Sequence, residues 1–214
     1  MIEIISKGFP FKPERGCFGY ACCLLIRDKV NILFDTGGYN LRSEIIKIIN
    51  QIDCVVVSHL HFDHCSNLDL FANSNVPIYI SDNELEYFNN HQKDDIDLFK
   101  YFNLIKNDLN IKKIYGTTFI TENVKIIYTV GHTPGHISLV INNDTILAGD
   151  SLKTYNDYKD AYNYGNAVSK NDYLTTKRKI KMNYRTIYPG HDSVIINGIV
   201  MDRMKLKEFW IRGD

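Results

Sequence analysis

A cluster of potential metal ligands follows a run of β-branched residues in the 214-residue chain. The apolar stretch 55–57 and the serine after it are typical of a buried strand and its end. His59, His61, Asp63 and His64 follow at once, so that three of the seven histidines fall within six residues. Imidazole and carboxylate groups are ligands that Zn²⁺ and neighbouring first-row metals accept. The pattern therefore predicts a metal-binding loop at the end of a strand.

Four other short motifs carry groups of the same kind. Each combines a histidine or an aspartate with glycine, and each follows a stretch that is predicted to be a strand. These motifs hold Asp35 within 34–38, His132 and His136 within 131–136, Asp150 after 147–149, and His191 within 188–191.

In the order in which they occur, the five motifs resemble those of the metallo-β-lactamase-fold superfamily. Its signature, H-x-H-x-D-H, is matched by His59, His61, Asp63 and His64, and the resemblance extends from about residue 20 to about residue 195. The resemblance implies an α/β fold, a four-layer αββα sandwich with the site at the sheet edges. A single domain over residues 1–214 is the corresponding expectation.

The resemblance also implies two divalent metal ions that share one bridging carboxylate. Three imidazoles leave one position open on a tetrahedral ion, as in catalytic zinc sites. The superfamily takes its ligand from the first histidine of the 131–136 motif, which leaves the second to support the site. The first ion is expected on His59, His61 and His132, the second on Asp63, His64 and His191, with Asp150 as the bridge and Asp35 and His136 as supports.

Two such ions about 3.5–4 Å apart can share a water molecule and lower its pKa to around 7. The bridging hydroxide would attack a carbonyl or phosphoryl centre, while Asp63 or the ions steady the charge that develops. Zn²⁺ is the expected metal, and Mn²⁺, Fe²⁺ and Co²⁺ stay open because the ligand set contains no thiolate. The predicted chemistry is metal-dependent hydrolysis.

Two positions limit the choice among the branches of the superfamily that the chain could resemble. His61 stands where the diiron oxidoreductases have glutamate, and Asp150 supplies a bridge that the drug-degrading β-lactamases generally lack. The glyoxalase II-like and lactonase-like branches fit best, which implies hydrolysis of a thioester or a lactone in a small molecule. Lactonases often place a tyrosine soon after the bridging aspartate, and Tyr155 is the nearest candidate for binding such a substrate.

Three alternatives stay open at the level of sequence. A phosphodiesterase or nuclease would use basic residues to contact phosphates, and a mononuclear iron dioxygenase acting on persulfides would use a similar ligand frame. A non-catalytic metal-binding module would lack some ligands, whereas all seven candidates are present. The basic residues concerned are Lys177, Arg178, Lys179 and Lys181, or Arg203, Lys205 and Lys207.

The composition favours a small-molecule substrate over a nucleic acid or a membrane. Formal net charge is 0, so no global field attracts polyanions. The five cysteines form no evenly spaced framework, and the first residues do not resemble a signal peptide. No apolar run approaches the roughly 18 residues that a membrane span needs. A soluble, cytoplasmic enzyme is the expectation, and its oligomeric state is left open.

Hydrophobic periodicity predicts the elements that hold these motifs. Glycine and proline residues between positions 8 and 16 break regular structure and indicate a loop. A helix is expected to begin at Ser66, and Ser169 is predicted to be the N-cap of another. Residues 151–168 carry no assigned element. Strands are predicted at 2–6, 20–26, 30–34, 52–58, 76–80, 123–130, 137–141, 145–147 and 186–188, a hairpin at 193–199, and helices at 41–51, within 82–110 with a break at 91–95, at 169–183 and at 201–211.

Overall fold

The computed structural model describes residues 1–11, 18–91, 96–160 and 167–201. Its strands are β1 (Ile2–Ser6), β2 (Phe9–Phe11), β3 (Phe18–Tyr20), β4 (Cys23–Arg27), β5 (Asn31–Phe34), β6 (Cys54–Val56), β7 (Pro77–Ser81), β8 (Asn110–Ile114), β9 (Thr118–Phe119), β10 (Val124–Tyr128), β11 (Ile137–Ile141), β12 (Thr145–Gly149), β13 (Thr186–Pro189), β14 (Ile195–Ile196) and β15 (Ile199–Val200). Its α-helices are α1 (Arg42–Ile48), α2 (Phe62–Cys65), α3 (Asp82–Asn90), α4 (Ile96–Ile105), α5 (Tyr155–Tyr158) and α6 (Lys170–Asn183).

Two sheets contain most of these strands. Within the described ranges, six strands form one sheet in the order β1-β4-β5-β6-β7-β8, and seven form another in the order β15-β14-β13-β12-β11-β10-β9. The neighbours β5 to β8 run parallel to one another, as do β12 and β13. The carboxyl ends of parallel strands meet at one edge of a sheet, and the predicted site motifs leave β5, β6, β12 and β13 at those edges.

The first sheet is buried on both faces because its strands alternate between two hydrophobic cores. Leu33 and Val55 pack with residues of α1 and α4, among them Ile45 and Phe102. The intervening side chains, such as Phe34, turn to the opposite face and pack against the second sheet.

The second sheet is likewise covered on both faces. Ile137 and Leu139 of β11 share the core between the sheets, while Val140 and Ile146 pack on Ile180 of α6. Three hydrophobic layers therefore separate helix, sheet, sheet and helix, which confirms the predicted αββα sandwich. Among the described residues, no helix is long and apolar enough to cross a membrane.

The strand predictions were wrong at three places, one of which is the short strand β9 (Thr118–Phe119), which was not predicted. The stretch 8–16, predicted to be a loop, contains the strand β2, which pairs with β3 so that Pro10 lies opposite Gly19. An isolated two-stranded ribbon tolerates proline because one edge of each strand needs no partner. Tyr20 belongs to this hairpin, so the strand predicted at 20–26 begins at Cys23. The edge strand β8 was not predicted, because Lys112 and Lys113 interrupt its apolar alternation.

The helix predictions also need correction. The helix expected at Ser66 begins at Phe62, and a 3-10 turn follows at Leu68–Phe71. The predicted helical span 82–110 ends at Ile105, and α5 was not predicted. Ser169 caps α6 as expected, since its Oγ accepts the N–H of Asp172 at 3.4 Å. Residues 92–95 of the predicted break and 202–211 of the last predicted helix lie outside the described ranges.

The core between the sheets yields a stability prediction. Leu139 is 0% exposed there, whereas Leu104 on α4 is 80% exposed. Leu139→Ala should lower the free energy of unfolding by about 2–5 kcal/mol, because it removes buried methyl groups and leaves a cavity. Leu104→Ala, the matched control, should change it by less than about 0.5 kcal/mol. Urea denaturation measures both values, and equal effects of the two substitutions would contradict the predicted layering.

Candidate metal centre

The first ligand group (His59, His61 and His132) brings three ring nitrogens together. His59 follows the end of β6, and His132 follows β10. The Nδ1 atom of His61 lies 2.9 Å from Nε2 of His59 and 2.9 Å from Nε2 of His132. One ring nitrogen has either one proton or one lone pair, so it can make only one good hydrogen bond here. A cation between the three nitrogens would satisfy all of them.

The second ligand group (Asp63, His64 and His191) lies beside the first. Asp63 and His64 are in α2, and His191 follows β13. Nε2 of His191 is 3.4 Å from Oδ2 of Asp63, and Nε2 of His64 is 3.9 Å from the same oxygen. The Asp63 side chain is 39% exposed, which makes this group the more open of the two.

Asp150 lies between the two groups and turns one oxygen towards each. Its Oδ2 is 3.2 Å from Nε2 of His132, while its Oδ1 is 3.1 Å from Nε2 of His191. Gly190 permits this position, because a Cβ atom there would lie 2.2 Å from Oδ1 of Asp150. The side chain is thus placed as a bridge would be.

Unpartnered polar atoms support a metal centre at this place. Among the described residues, His64 Nε2 and Asp150 Oδ1 are buried without a hydrogen-bond partner, although they lie 3.3 Å apart. Buried polar groups are normally paired, and a cation would pair both. The donor atoms of each cluster lie within 4.8 Å of one another. The nitrogen and oxygen donors fit a first-row divalent ion.

The protonation of the histidines suits the same purpose. Burial lowers the pKa of His59 and of His132 well below the usual range, so both are neutral and keep a lone pair for a metal. Burial also lowers the pKa of His64, but nearby carboxylates, first that of Asp150 and then that of Asp63, raise it by more. The carboxylates around His64 therefore hold a proton on this ring, and a cation bound at the same place could take over that positive charge.

Comparison with known proteins identifies the family. The sequence profile of the metallo-beta-lactamase superfamily matches residues 15–191. The chain belongs to this superfamily.

Relatives within the superfamily include metallo-hydrolases and lactonases. A protein of Methanocaldococcus jannaschii named as a probable metallo-hydrolase is 29% identical over 191 residues, which are 83% of this chain and 90% of that protein. An N-acyl homoserine lactonase of Bacillus cereus is 31% identical over 148 residues, 64% of this chain and 55% of that protein. A crystal structure of a quorum-quenching N-acyl homoserine lactone lactonase superposes with a TM-score of 0.69 at 21% identity, covering 89% of this chain and 91% of that one.

Asp35 holds the second ligand group from behind in this superfamily member. Its Oδ2 accepts a hydrogen bond from His64 Nδ1 at 2.7 Å, which directs Nε2 of this histidine towards the other candidate ligands; a metal there would displace the Nε2 proton. Its Oδ1 accepts the backbone N–H of Ser58, also at 2.7 Å. Burial raises the pKa of Asp35, and the donors His64 and Ser58 act in the opposite direction. The structure places Asp35 behind His64, and its support of a bound metal stays a prediction.

The His136 side chain contacts the backbone of Asp150, the proposed bridging residue. Nε2 of His136 accepts the N–H of Asp150 at 3.1 Å, and its Nδ1 lies 2.9 Å from Thr129 Oγ1. Burial lowers the pKa of His136 to about 3, which keeps the ring neutral and Nε2 free to accept. The side chain therefore contacts the backbone of Asp150, and its role as a support of the metal site stays a prediction.

Tyr155 has its described contacts away from the two ligand groups. Its hydroxyl donates to the carbonyl of Gly198 at 3.3 Å, and its ring stacks on Tyr158 with centroids 6.0 Å apart. The Tyr155 backbone N–H donates to Asp192 Oδ2 at 3.0 Å. These contacts account for Tyr155 as a packing residue, and its role in substrate binding stays a prediction without structural support.

Glu84, which sequence reasoning missed, joins the two loops that carry the first ligand group. Its side chain is buried; Oε1 accepts the N–H of Leu60 at 2.9 Å, and Oε2 accepts the hydroxyl hydrogen of Thr133 at 2.6 Å. Leu60 stands between two of the ligand histidines, and Thr133 follows the third. Glycine is required at position 135, because a Cβ there would lie 2.0 Å from the Glu84 nitrogen. Glu84 thus sets the spacing of the loops.

Local sequence conceals this role of Glu84. Ser81 and Glu84 match the capping-box pattern S-x-x-E, in which the glutamate would turn back to its own helix. Ser81 Oγ does accept the Glu84 N–H, at 3.4 Å, but the carboxylate reaches the ligand loops instead. Only the tertiary structure distinguishes the two arrangements.

The titration of Glu84 predicts a pH-dependent stability difference. Burial raises its pKa from 4.5 to about 7, because the hydrogen bonds from Leu60, Thr133 and Gly135 offset the burial only in part. The folded state then binds this proton more tightly than the unfolded state, so stability falls as pH rises from 4.5 to 7. Glu84→Gln does not titrate. Its stability relative to wild type should rise by on the order of 3 kcal/mol over this interval.

Urea denaturation between pH 4.5 and 8, at equal metal content, measures this difference. Glu86→Gln is the control, because Glu86 lies on the same helix but is exposed. If the difference in unfolding free energy between Glu84→Gln and wild type does not change with pH, the raised pKa of Glu84 is contradicted.

Proposed function

We propose that this protein is a binuclear metal-dependent hydrolase that cleaves an ester-type bond, a lactone or a thioester, in a small molecule. The observation that carries the proposal is the pair of ligand groups on either side of Asp150. Membership of the metallo-beta-lactamase superfamily and the similarity to the Bacillus cereus lactonase support the class of bond. Zn²⁺ is the metal we expect, with Mn²⁺, Fe²⁺ or Co²⁺ as the other options.

The chain's own residues prepare the centre for hydrolysis. When bound, two divalent ions lower the pKa of a shared water and polarise a carbonyl oxygen. His59 and His132 are neutral, so no proton has to leave them before a metal binds. Asp35 keeps the proton of His64 on Nδ1. Asp63, the most exposed of the ligand side chains described above, is placed to accept a proton from the attacking water.

Aromatic side chains beside the second ligand group provide an apolar surface for a substrate. Phe62 stands between His61 and Asp63 and is 43% exposed, and Tyr39 is 53% exposed. Their rings stack with centroids 6.1 Å apart, and the Arg42 guanidinium lies 5.8 Å from the Tyr39 centroid. Because Phe62 is next to two candidate ligands in the chain, such exposed aromatic groups would favour a substrate with an apolar part. This supports an acyl substrate over an unmodified sugar or phosphate.

Two of the basic residues considered for phosphate binding, Lys177 and Lys181, form ion pairs within the fold. Lys177 is buried, and its Nζ lies 3.0 Å from Asp157 Oδ1 and 3.2 Å from Asp160 Oδ1. Lys181 Nζ lies 2.7 Å from Asp160 Oδ2. These pairs account for Lys177 and Lys181 without a nucleic acid, whereas Arg178 and Lys179 are exposed on α6. The second basic group, 203–207, lies outside the described residues.

The proposal predicts which substrates are hydrolysed. The metal-loaded protein should hydrolyse an acyl-homoserine lactone or an acyl-glutathione thioester faster than an aryl phosphodiester. Chelation should abolish turnover, and added Zn²⁺ should restore it. Initial rates on the three substrates, before and after chelation, are the measurement. Phosphodiester turnover alone, or oxygen consumption with an iron-loaded protein and a persulfide, would replace the proposal with one of the other functions.

A ligand substitution and a matched control complete this test. His132→Ala should lower the hydrolysis rate by more than about 100-fold while the far-ultraviolet circular dichroism is kept, because it removes a metal ligand and not a core side chain. His91→Ala should leave the rate unchanged, since His91 is exposed at the end of α3 and the described contacts of its side chain are with Tyr87. Full activity of the first variant would refute the ligand assignment.

A further inference from the structure

Lys153 places a positive charge against the proposed bridging carboxylate. Its Nζ lies 2.8 Å from Asp150 Oδ2, the oxygen that also faces His132. The Lys153 side chain is 24% exposed, so its ammonium group lies between the ligand groups and solvent. Sequence reasoning did not single out this residue, because it assigned the substrate contact after Asp150 to a tyrosine.

The backbone of Lys153 is held on both sides. Its carbonyl accepts the N–H of the candidate ligand His191 at 2.7 Å. Its own N–H donates to Asp157 Oδ2 at 3.2 Å. Asp157 is buried and receives hydrogen bonds from Lys177 and Tyr173 as well. The ammonium group therefore extends from a fixed backbone, which limits the positions that it can reach.

The positive charge of Lys153 is not needed to neutralise the buried carboxylate of Asp157, which accepts the hydrogen bond from the Lys153 backbone. Lys177 already pairs with Asp157, at 3.0 Å. A further cation beside two divalent ions opposes their binding by Coulomb repulsion. Its position therefore costs metal affinity, and an interaction with an anion at the same place would offset that cost. Ester hydrolysis provides such an anion when a carbonyl is attacked.

We propose that Lys153 is a catalytic residue that donates a hydrogen bond to the oxygen of the scissile carbonyl. This inference rests on the proposed ester hydrolysis. As hydroxide bonds to the carbonyl carbon, the π electron pair moves to the carbonyl oxygen. When that pair returns, the bond to the leaving oxygen or sulfur breaks, and this atom takes the proton that Asp63 accepted from the attacking water. Lys153 keeps its own proton throughout. An ammonium group has three donors, so one can remain on Asp150 while another binds the oxyanion or the carboxylate product.

Lys153→Met tests this role in the metal-loaded protein. With the substrate that the wild type hydrolyses, kcat should fall by about 100- to 1000-fold, the range for loss of one oxyanion donor. Lys153→Arg, which keeps the charge, should lie closer to the wild type. Metal content should be at least that of the wild type, because a repelling cation has been removed. Lys159→Met is the matched control, since Lys159 is exposed in the same segment and lies over the Tyr155 ring.

Binding of hexanoate, a simple carboxylate, gives a readout that needs no turnover. Isothermal titration calorimetry should show binding to the wild type and to Lys159→Met, with at least tenfold weaker binding to Lys153→Met. Equal affinity in all three proteins, or no binding to the wild type, would overturn the role of Lys153. So would a loss of metal or of thermal stability in Lys153→Met, because the residue would then be structural. A wild type that binds hexanoate but hydrolyses no ester would instead refute the proposed function.

Discussion

Convergence of seven metal-binding groups at the strand ends is the constraint on which the rest of the structure depends. His59, His64 and His132 are fully buried there, and the Nε2 atom of each faces another ring nitrogen or a carboxylate of the candidate ligand set. Such burial is unfavourable unless a cation pairs the groups, so metal binding would add directly to folding stability. Because β6 belongs to one sheet and β10, β12 and β13 to the other, the ions would also link the two sheets.

The sequence contains enough information to predict the layers and the ligand groups. Residues 55–57 are apolar without interruption, which is the pattern of a strand buried on both faces. The histidine spacing then places His59 and His61 on one loop, and the order of the later motifs matches the order in which the strand ends meet. Histidine and aspartate residues that directly follow a predicted strand can be recognised as candidate ligands. Their residue type indicates the chemistry, and the strand before them indicates their place in the fold.

The supporting residues could not be predicted, because their partners are distant in the chain. Glu84 contacts Leu60 and Thr133, which lie 24 and 49 residues away, while its local sequence matches an ordinary capping box. Lys153 approaches Asp150 because its backbone is tied to His191 and Asp157. Residue type alone favoured Tyr155, whose hydroxyl contacts Gly198 instead. In each case a long-range hydrogen bond decides where the side chain points.

The central claim is that two metal ions share Asp150, and anomalous X-ray diffraction from crystals of the zinc-loaded protein tests it most directly. Data collected above the zinc absorption edge should show two peaks about 3.5–4 Å apart. One peak should lie within the first ligand group and the other within the second, with an oxygen of Asp150 towards each. A single peak in the first ligand group would contradict the binuclear centre, and peaks elsewhere would contradict the site itself.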